Sequence, residues 1–434
     1  MKLRPFELAL VAVFGTLFLL ALVLLSSYSP KVDPNVSSLA AGVSIWGTIP
    51  ETAFFEVLAE IGNTDPNYKN VSYRYISPEN FDNVFINALA DQAAPDLLFL
   101  SHEKLIEHRK RLQTISYNSF PMRDFRNLYI DGAEIFALSD GIYALPVAVD
   151  PLLMYWNRDI FADNGLLKAP TTWEEIVNQI VPTFTLKDNN RNITRPAIAM
   201  GEYSNIKNAF PILSLLLLQG GSSLVGEGGG YYQVRLNESV GQASANPFTN
   251  MATFFTNFSN INNTLYSWNR ALRLDTEMFL SEDLPIYFGF ASEGRSLAAR
   301  NPNLSFDVGE VPQGASASIK RNYGIFYGLA IPKAAKNKTG AAVVLQTLSS
   351  EGHAQKLADL SGFAPTHRTA LSYGSNDIFG RVAYASAIYS RGWLNPDRDR
   401  LDTVLQQMLS SITANRNNIS SATLDAITRI SQIY

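Results

Sequence analysis

The sequence predicts an α/β fold of two lobes behind an N-terminal transmembrane helix. Three observations support it: the chain is long, strand and helix patterns alternate after residue 42, and one long apolar run at the start carries no charge. With 434 residues, the chain exceeds the ~100–200 residues of an ordinary domain. Hydrophobic residues make up 46% of it, which is enough for packed cores. A net charge of -4 argues against a general nucleic-acid binder, which needs a basic face.

The N-terminus carries the strongest local signal. No charged residue occurs from Leu8 to Pro30, and Lys2 and Arg4 precede this run. A helix of ~20 apolar residues spans a bilayer, and positive charge in front of it places the N-terminus inside the cell. The alternative is a cleaved signal peptide, but the nearest small-x-small sequence, Ser38-Leu39-Ala40, lies well past the end of the run. We therefore expect residues 1–30 to anchor the protein in the cell membrane, with the globular part on the extracytoplasmic side.

After a short tether at residues 31–41, strand and helix patterns alternate. In chain order they cover Gly42–Trp46, Glu51–Ile61, Val71–Ile76, Phe81–Leu89 and Pro95–Leu100. Strand–helix alternation predicts a parallel sheet covered by helices on both faces. Ligands of such sheets bind at the carboxyl ends of the strands. The segments at those ends are Trp46–Pro50, Ser101–Lys104 and Val149–Pro151.

A set of motifs resembles a known family, and it begins with DGIYALPV at Asp140–Val147. YWNRDIF at Tyr155–Phe161 and PTTWEE at Pro170–Glu175 follow. Further matches, in the same order as in the family, are Ala94–Phe99, Met200–Glu202, Gln219–Gly221, Tyr327–Lys333 and Gly362–Thr366. Together they resemble the family 1 extracellular solute-binding proteins of ABC importers, from about Val43 to the C-terminus. The chain departs from the family pattern at Leu284–Phe290, and it lacks the usual lipoprotein cysteine.

The resemblance implies a periplasmic-binding-protein-like fold of type II, with a ligand in the cleft between two lobes. We expect lobe 1 to comprise residues 42–149 and about 312–350, and lobe 2 to comprise residues 150–311 and about 351–434. The chain should first cross between the lobes near Val149–Pro151. The resemblance also implies a monomer without enzymatic activity. Such a protein would capture a small polar ligand, a carbohydrate, and deliver it to the permease subunits of an ABC transporter.

Candidate ligand contacts follow from what a sugar site needs, which is flat apolar faces and planar polar groups. Trp46 comes after the first strand and could either stack on a ligand or cap the core. Glu103 and Lys104 resemble a charged pair of the family, although they could equally be an ordinary helix start. Asp150 lies at the predicted crossing, where a carboxylate is costly unless it contacts solvent or ligand. The remaining candidates match later binding segments of the family or follow a predicted strand: Tyr203, Asn205, Phe290, Glu293 and Trp393.

Two other classes of function stay open. Asp150 and Glu103 could be the paired carboxylates of an anchored glycan-acting enzyme. Alternatively, the globular part could be a ligand-sensing domain, although Met1–Glu7 is too short to signal without a partner.

Neither a cofactor nor a metal is predicted. Gly226–Gly230 lacks the Lys and Ser or Thr of a phosphate loop. His102 and His108 are six residues apart, whereas a zinc helix uses i, i+4 spacing. A chain without cysteine also has neither disulfides nor thiolate zinc ligands.

Overall fold

The computed structural model describes residues 38–228, 231–238 and 246–434. The predicted anchor, residues 1–30, and most of the predicted tether lie outside these ranges. Within the described ranges, no helix is both long enough and apolar enough to cross a membrane.

The described residues form fifteen strands and seventeen α-helices. In chain order, strands β1 to β15 are Ser44–Gly47, Ser72–Tyr75, Leu97–Ser101, Ala137–Leu138, Gly141–Ile142, Leu145–Asn157, Leu186–Lys187, Ile193–Arg195, Val225–Gly228, Tyr231–Val234, Ile286–Phe290, Phe306–Gly309, Asn322–Ala330, Ala364–Pro365 and Ser390–Arg391. Helices α1 to α17 are Glu51–Thr64, Phe81–Ala90, Leu105–His108, Met122–Leu128, Arg158–Asp163, Trp173–Glu175, Val181–Phe184, Ala209–Gln219, Pro247–Asn257, Asp275–Leu280, Glu293–Arg300, Lys338–Leu348, Glu351–Ser361, Arg368–Ser372, Ile378–Ala387, Arg398–Thr413 and Ile419–Ser431. The first five elements predicted from the sequence are confirmed, each with bounds within three residues of those observed.

One nine-stranded sheet runs through both lobes. Its main order is β11-β6-β13-β3-β1-β2. Strands β12 and β14 also pair with β6, and β15 pairs with β13. Strand β1 is parallel to β2 and β3, as the strand–helix alternation predicts. Strand β13 instead runs antiparallel to both β3 and β6. The prediction of a parallel sheet is therefore confirmed for β1, β2 and β3 but wrong for the rest of the sheet, because a strand from late in the chain enters it in the opposite direction.

The long strand β6 exchanges its partners at the centre of the molecule. Up to Pro151 it pairs with β13, and at Ala148 and Val149 also with β14. From Leu152 onwards it pairs with β11, and from Met154 also with β12. The exchange coincides with the position of the predicted crossing. Pro151 suits this position, because proline has no N–H to donate to a continuous ladder.

Two apolar cores support the sheet. The smaller one joins β1 and α1 to α12 and α13, and in it Phe54 stacks on Tyr73 with ring centroids 3.9 Å apart. Ala354 and Leu357 of α13 belong to this core, so α13 packs on the first lobe, although the boundary predicted at about 351 gives it to the second. The residue-level lobe boundaries remain predictions. The larger core covers the other face of the first-lobe strands and continues through the second lobe.

Residues 38–40, assigned to the predicted tether, form a 3₁₀ turn that packs on α12. Ala40 is fully buried, and Asn337 Nδ2 donates a hydrogen bond of 3.0 Å to the carbonyl oxygen of Leu39. The described end of the tether is thus part of the folded first lobe.

Candidate functional site

Charged side chains from both lobes meet at the carboxyl end of β3. Glu103 lies in the 3₁₀ turn His102–Lys104 directly after this strand, and Arg398 opens α16. Arg398 Nε lies 3.3 Å from Glu103 Oε1, and Tyr323 Oη donates a 3.0 Å hydrogen bond to the same oxygen. Arg398 Nη1 also pairs with Asp402 Oδ1 one helical turn later, at 2.6 Å. A single guanidinium therefore connects a carboxylate of each lobe.

Aromatic rings surround this ion pair. The guanidinium carbon of Arg398 lies 3.5 Å from the ring centroid of Phe210, a cation–π contact. Tyr203 Oη donates a hydrogen bond to Asp402 Oδ1. We call the group formed by these residues the Arg398 cluster: Glu103, Tyr203, Phe210, Tyr323, Arg398 and Asp402.

The Arg398 cluster is charged and partly open to solvent. The side chains of Glu103, Arg398 and Asp402 are 18%, 21% and 42% exposed. Burial lowers the pKa of Arg398, but the two carboxylates outweigh that effect and raise it overall, so the guanidinium stays cationic. Carboxylates, a planar guanidinium, tyrosine hydroxyls and an aromatic face are groups that can bind a hydroxylated ligand.

Asp150 lies in β6 where the strand exchanges partners, and it is only 4% exposed. It accepts hydrogen bonds from Ser292 N at 3.1 Å and from Ser292 Oγ at 2.6 Å. Burial raises the pKa of Asp150 to about 7, against the opposing effect of these two bonds. Its carboxylate is therefore held by the residue that precedes α11, and its predicted contact with a ligand stays a prediction.

Two further candidates lie beside Asp150. Glu293 accepts hydrogen bonds from Lys207 Nζ at 2.7 Å and Asn208 Nδ2 at 2.9 Å, so protein donors already occupy its carboxylate. Phe290 ends β11 and is 9% exposed. Its ring lies 6.4 Å from that of Tyr323, which places it at the edge of the Arg398 cluster.

Trp393 forms the wall behind the Arg398 cluster. It is fully buried, and its ring stacks on Phe210 at 5.2 Å between centroids. Its Nε1 donates a 2.9 Å hydrogen bond to Tyr434 Oη. Direct contact with a ligand would require Phe210 or Trp393 to move.

Trp46 and Asn205 lie outside the Arg398 cluster. Trp46 is inside β1 rather than after it, is partly buried, and has Arg74 Cζ 4.8 Å from its ring centroid. The side-chain amide of Asn205 is bonded within the protein: Nδ2 donates to the carbonyl oxygens of Asn269 and Leu272, and Oδ1 accepts from Trp268 Nε1. Asn205 therefore fixes its own loop.

Lys104 belongs to a separate group on the first lobe. Its ammonium bonds Asp82 and lies 3.8 Å from Glu107. Asp82, Glu107 and His108 bring potential metal-ligand atoms within 4.8 Å of one another. The cation that neutralises the carboxylates is Lys104 itself, so this group is best explained as an ion pair that fixes the turn after β3.

Sequence reasoning missed four members of the Arg398 cluster: Phe210, Tyr323, Arg398 and Asp402. The sequence contains a signal for two of them, Arg398 and Asp402. They stand at i, i+4 spacing, and Arg398 comes five residues after the candidate Trp393. Phe210 and Tyr323 carry no such signal, since their role depends on contacts between distant segments.

The sheet exchange and the contact between lobes define the class of a two-lobed binding protein. The family model described as "Bacterial extracellular solute-binding protein" matches residues 50–355, and the chain therefore belongs to this family. The globular part is accordingly of an extracytoplasmic, ligand-binding type. A comparison with curated proteins finds no match.

Solved structures share the fold over nearly the whole chain. A cyclo/maltodextrin-binding protein complexed with maltotetraose has a TM-score of 0.70 at 13% identity, covering 90% of this chain and 96% of that one. The sugar-binding protein MalE from Xanthomonas citri has a TM-score of 0.70 at 15% identity, with coverages of 90% and 96%. A solute-binding protein from Thermotoga lettingae bound with α-D-tagatose has a TM-score of 0.63 at 16% identity, with coverages of 91% and 99%. At such identities, the likeness concerns the fold.

Proposed function

We propose that the protein captures a small polar ligand, a carbohydrate, in the cleft between its lobes and delivers it unaltered to the permease subunits of an ABC transporter. Residues 1–30 would hold it on the extracytoplasmic side of the cell membrane. The observation that carries the proposal is the Arg398 cluster, which combines charged planar groups and aromatic faces from both lobes. Similar folds that are described with bound sugars support the ligand class.

The contacts of the Arg398 cluster suggest how a ligand enters. Glu103 on one lobe and Arg398 on the other are paired directly, so opening about the crossing strands separates them and exposes both to solvent. Sugar hydroxyls can then bond the carboxylate and the guanidinium, and closure buries the ligand between the lobes. The ligand thus replaces a protein–protein ion pair with two protein–ligand contacts.

Calorimetric titration of the full chain tests this proposal. The detergent should have no sugar headgroup, and the panel should contain neutral oligosaccharides, monosaccharides and polyamines. We expect Arg398→Ala to weaken binding of the best sugar by roughly ten- to a hundredfold, because a hydrogen bond to a charged group contributes ~1.5–3 kcal/mol. Arg398→Lys should recover only part of this loss, since an ammonium cannot present two parallel donors.

Arg400→Ala is the matched control, because Arg400 lies on the same helix and its side chain is 62% exposed. It should bind as the wild type does. If Arg398→Ala folds and also binds as the wild type does, the site lies elsewhere. Recovery of a chemically altered sugar after long incubation would instead support the glycan-acting enzyme.

A further inference from the structure

A polar cavity lies on the second lobe, away from the Arg398 cluster. Its volume is about 550 Å³, and two loops form it: the one that follows α9 and the one between α16 and α17. Six asparagines line it: Asn257, Asn260, Asn262, Asn415, Asn417 and Asn418.

The lining of this cavity is polar and uncharged. Besides the asparagines, it contains four hydroxyl side chains and three isoleucines, of which Ile261 is 51% exposed. All thirteen lining residues in the described part of the chain are non-ionisable. Phosphate ligands, polyamines and metal cations are bound by opposite charge. A neutral lining of amides and hydroxyls instead matches a neutral ligand rich in hydroxyls.

Several amides of the cavity have hydrogen-bonding capacity to spare. Within the described residues, the side chains of Asn257, Asn415 and Asn417 make no hydrogen bond to protein. Asn418 uses only its oxygen, which accepts from Ser421 N at 2.8 Å. Each free amide offers two donors and an acceptor, which is the combination that recognises vicinal hydroxyls.

The cavity is separate from the Arg398 cluster. Helix α16 begins at Arg398 in the cluster and ends at Thr413 in the cavity lining. With a rise of 1.5 Å per residue, the two ends of this helix are roughly 23 Å apart. Neither site therefore completes the other, and the two can be altered independently.

We propose that this cavity is an auxiliary binding site for a neutral oligosaccharide. The amides of the two asparagine-rich loops bond its hydroxyls, and Ile261 contacts the apolar faces of its rings. Such a site retains a glycan at the surface of the second lobe while the cleft is empty or occupied. It does not depend on the function proposed for the cleft.

Magnetic resonance of the full chain, carrying isotopically labelled asparagine in a detergent without a sugar headgroup, tests the site. The probes are maltotetraose and mannotriose, with spermidine and inorganic phosphate as charged comparisons. We expect the side-chain amide signals of Asn415 and Asn417 to shift with millimolar oligosaccharide and not with the charged probes. Replacing both by alanine should weaken this binding by about tenfold or more, because two neutral hydrogen bonds are lost.

Asn303→Ala is the matched control, since Asn303 is exposed and lies outside the cavity. It should leave the titration of the cavity signals unchanged. The inference is overturned if neither oligosaccharide shifts the cavity signals, if charged probes shift them equally, or if the double variant binds as tightly as the wild type. If the cavity signals respond while Arg398→Ala has no effect on any sugar, the proposal for the cleft fails and this one stands.

Discussion

Asp150 and Glu103 are both carboxylates near the contact between the lobes, but their surroundings differ. Asp150 is almost fully buried, and its hydrogen bonds come from the neutral groups of Ser292. Glu103 is partly exposed and pairs with the guanidinium of Arg398 from the other lobe. Asp150 is shielded from water and bonded by neutral groups, whereas Glu103 has a cationic partner and stays partly hydrated.

This difference separates two roles. A buried carboxylate without a cation favours its protonated form, so we expect the charge of Asp150 to depend on pH. An ion pair that solvent can reach can be replaced by other contacts, so a ligand can take the place of Arg398 as the partner of Glu103. We therefore expect changes at Asp150 to appear mainly in the free energy of unfolding, and changes at Glu103 and Arg398 mainly in affinity.

The largest expected effect is that of Trp393→Ala, which tests whether Trp393 belongs to the core or to the ligand site. Because Trp393 is fully buried against Phe210, its truncation should lower the free energy of unfolding by ~3–5 kcal/mol. Urea denaturation measures this loss. Trp46→Ala is the comparison, and it should cost less than half as much because Trp46 is only partly buried. A small loss of stability with a large loss of affinity would instead move Trp393 into the ligand site.

The second effect is the pH dependence that Asp150 imposes. Its folded pKa, about 7, lies above the ordinary value of 3.8. The folded state therefore holds the proton more tightly, and stability present at low pH is lost as the pH rises through about 7. Asp150→Asn cannot ionise, and its amide can still bond Ser292. Relative to this variant, the wild type should lose stability between these two pKa values, by at most about 4 kcal/mol.

Urea denaturation of both proteins at several pH values checks this sign. Parallel pH profiles would show that Asp150 titrates near its ordinary pKa in the folded protein. A wild type that gains stability over the Asn variant as pH rises would show that a cation stabilises the carboxylate.

The fold was predictable where it depends on neighbours in the chain. Strand β1, helix α1 and strand β2 each reflect the spacing of a few apolar residues, and the ordered motifs led to the family. Strand β13 was not predictable as an antiparallel partner, because its pairing with β3 joins residues more than 200 positions apart, such as Tyr327 and Ser101.

The candidate site was predictable only in part, for the same reason. Glu103 could be predicted as a site residue because it follows the end of a predicted sheet strand. Its partner Arg398 lies 295 residues later, and Ser292, which holds Asp150, lies 142 residues after it. A carboxylate can be found in a sequence, but what neutralises it depends on packing.

The smallest expected effect concerns another contact between the lobes. The β9–β10 hairpin of the second lobe reaches the first lobe at its rim. There, Ser139 N and Oγ donate hydrogen bonds of 3.0 and 2.8 Å to the carboxylate of Glu227. Arg109 Nη1 also donates a 2.7 Å bond to Tyr232 Oη. If the cleft opens as proposed, these groups separate, so we expect them to stabilise the closed state over the open one.

Glu227→Ala should therefore speed ligand release while leaving unfolding nearly unchanged. Rim contacts of this kind contribute ~0.2–1 kcal/mol, so the dissociation rate should rise by no more than about fivefold. Stopped-flow dissociation of the best sugar measures this rise, and Tyr232→Phe should produce a smaller one. Glu238→Ala is the control, because Glu238 is in the same segment and, among the residues that the structure describes, pairs with nearby Arg235, at 3.6 Å. If Glu227→Ala slows release or matches the control, the hairpin does not hold the lobes together, and closure depends on the Arg398 cluster and the crossing strands.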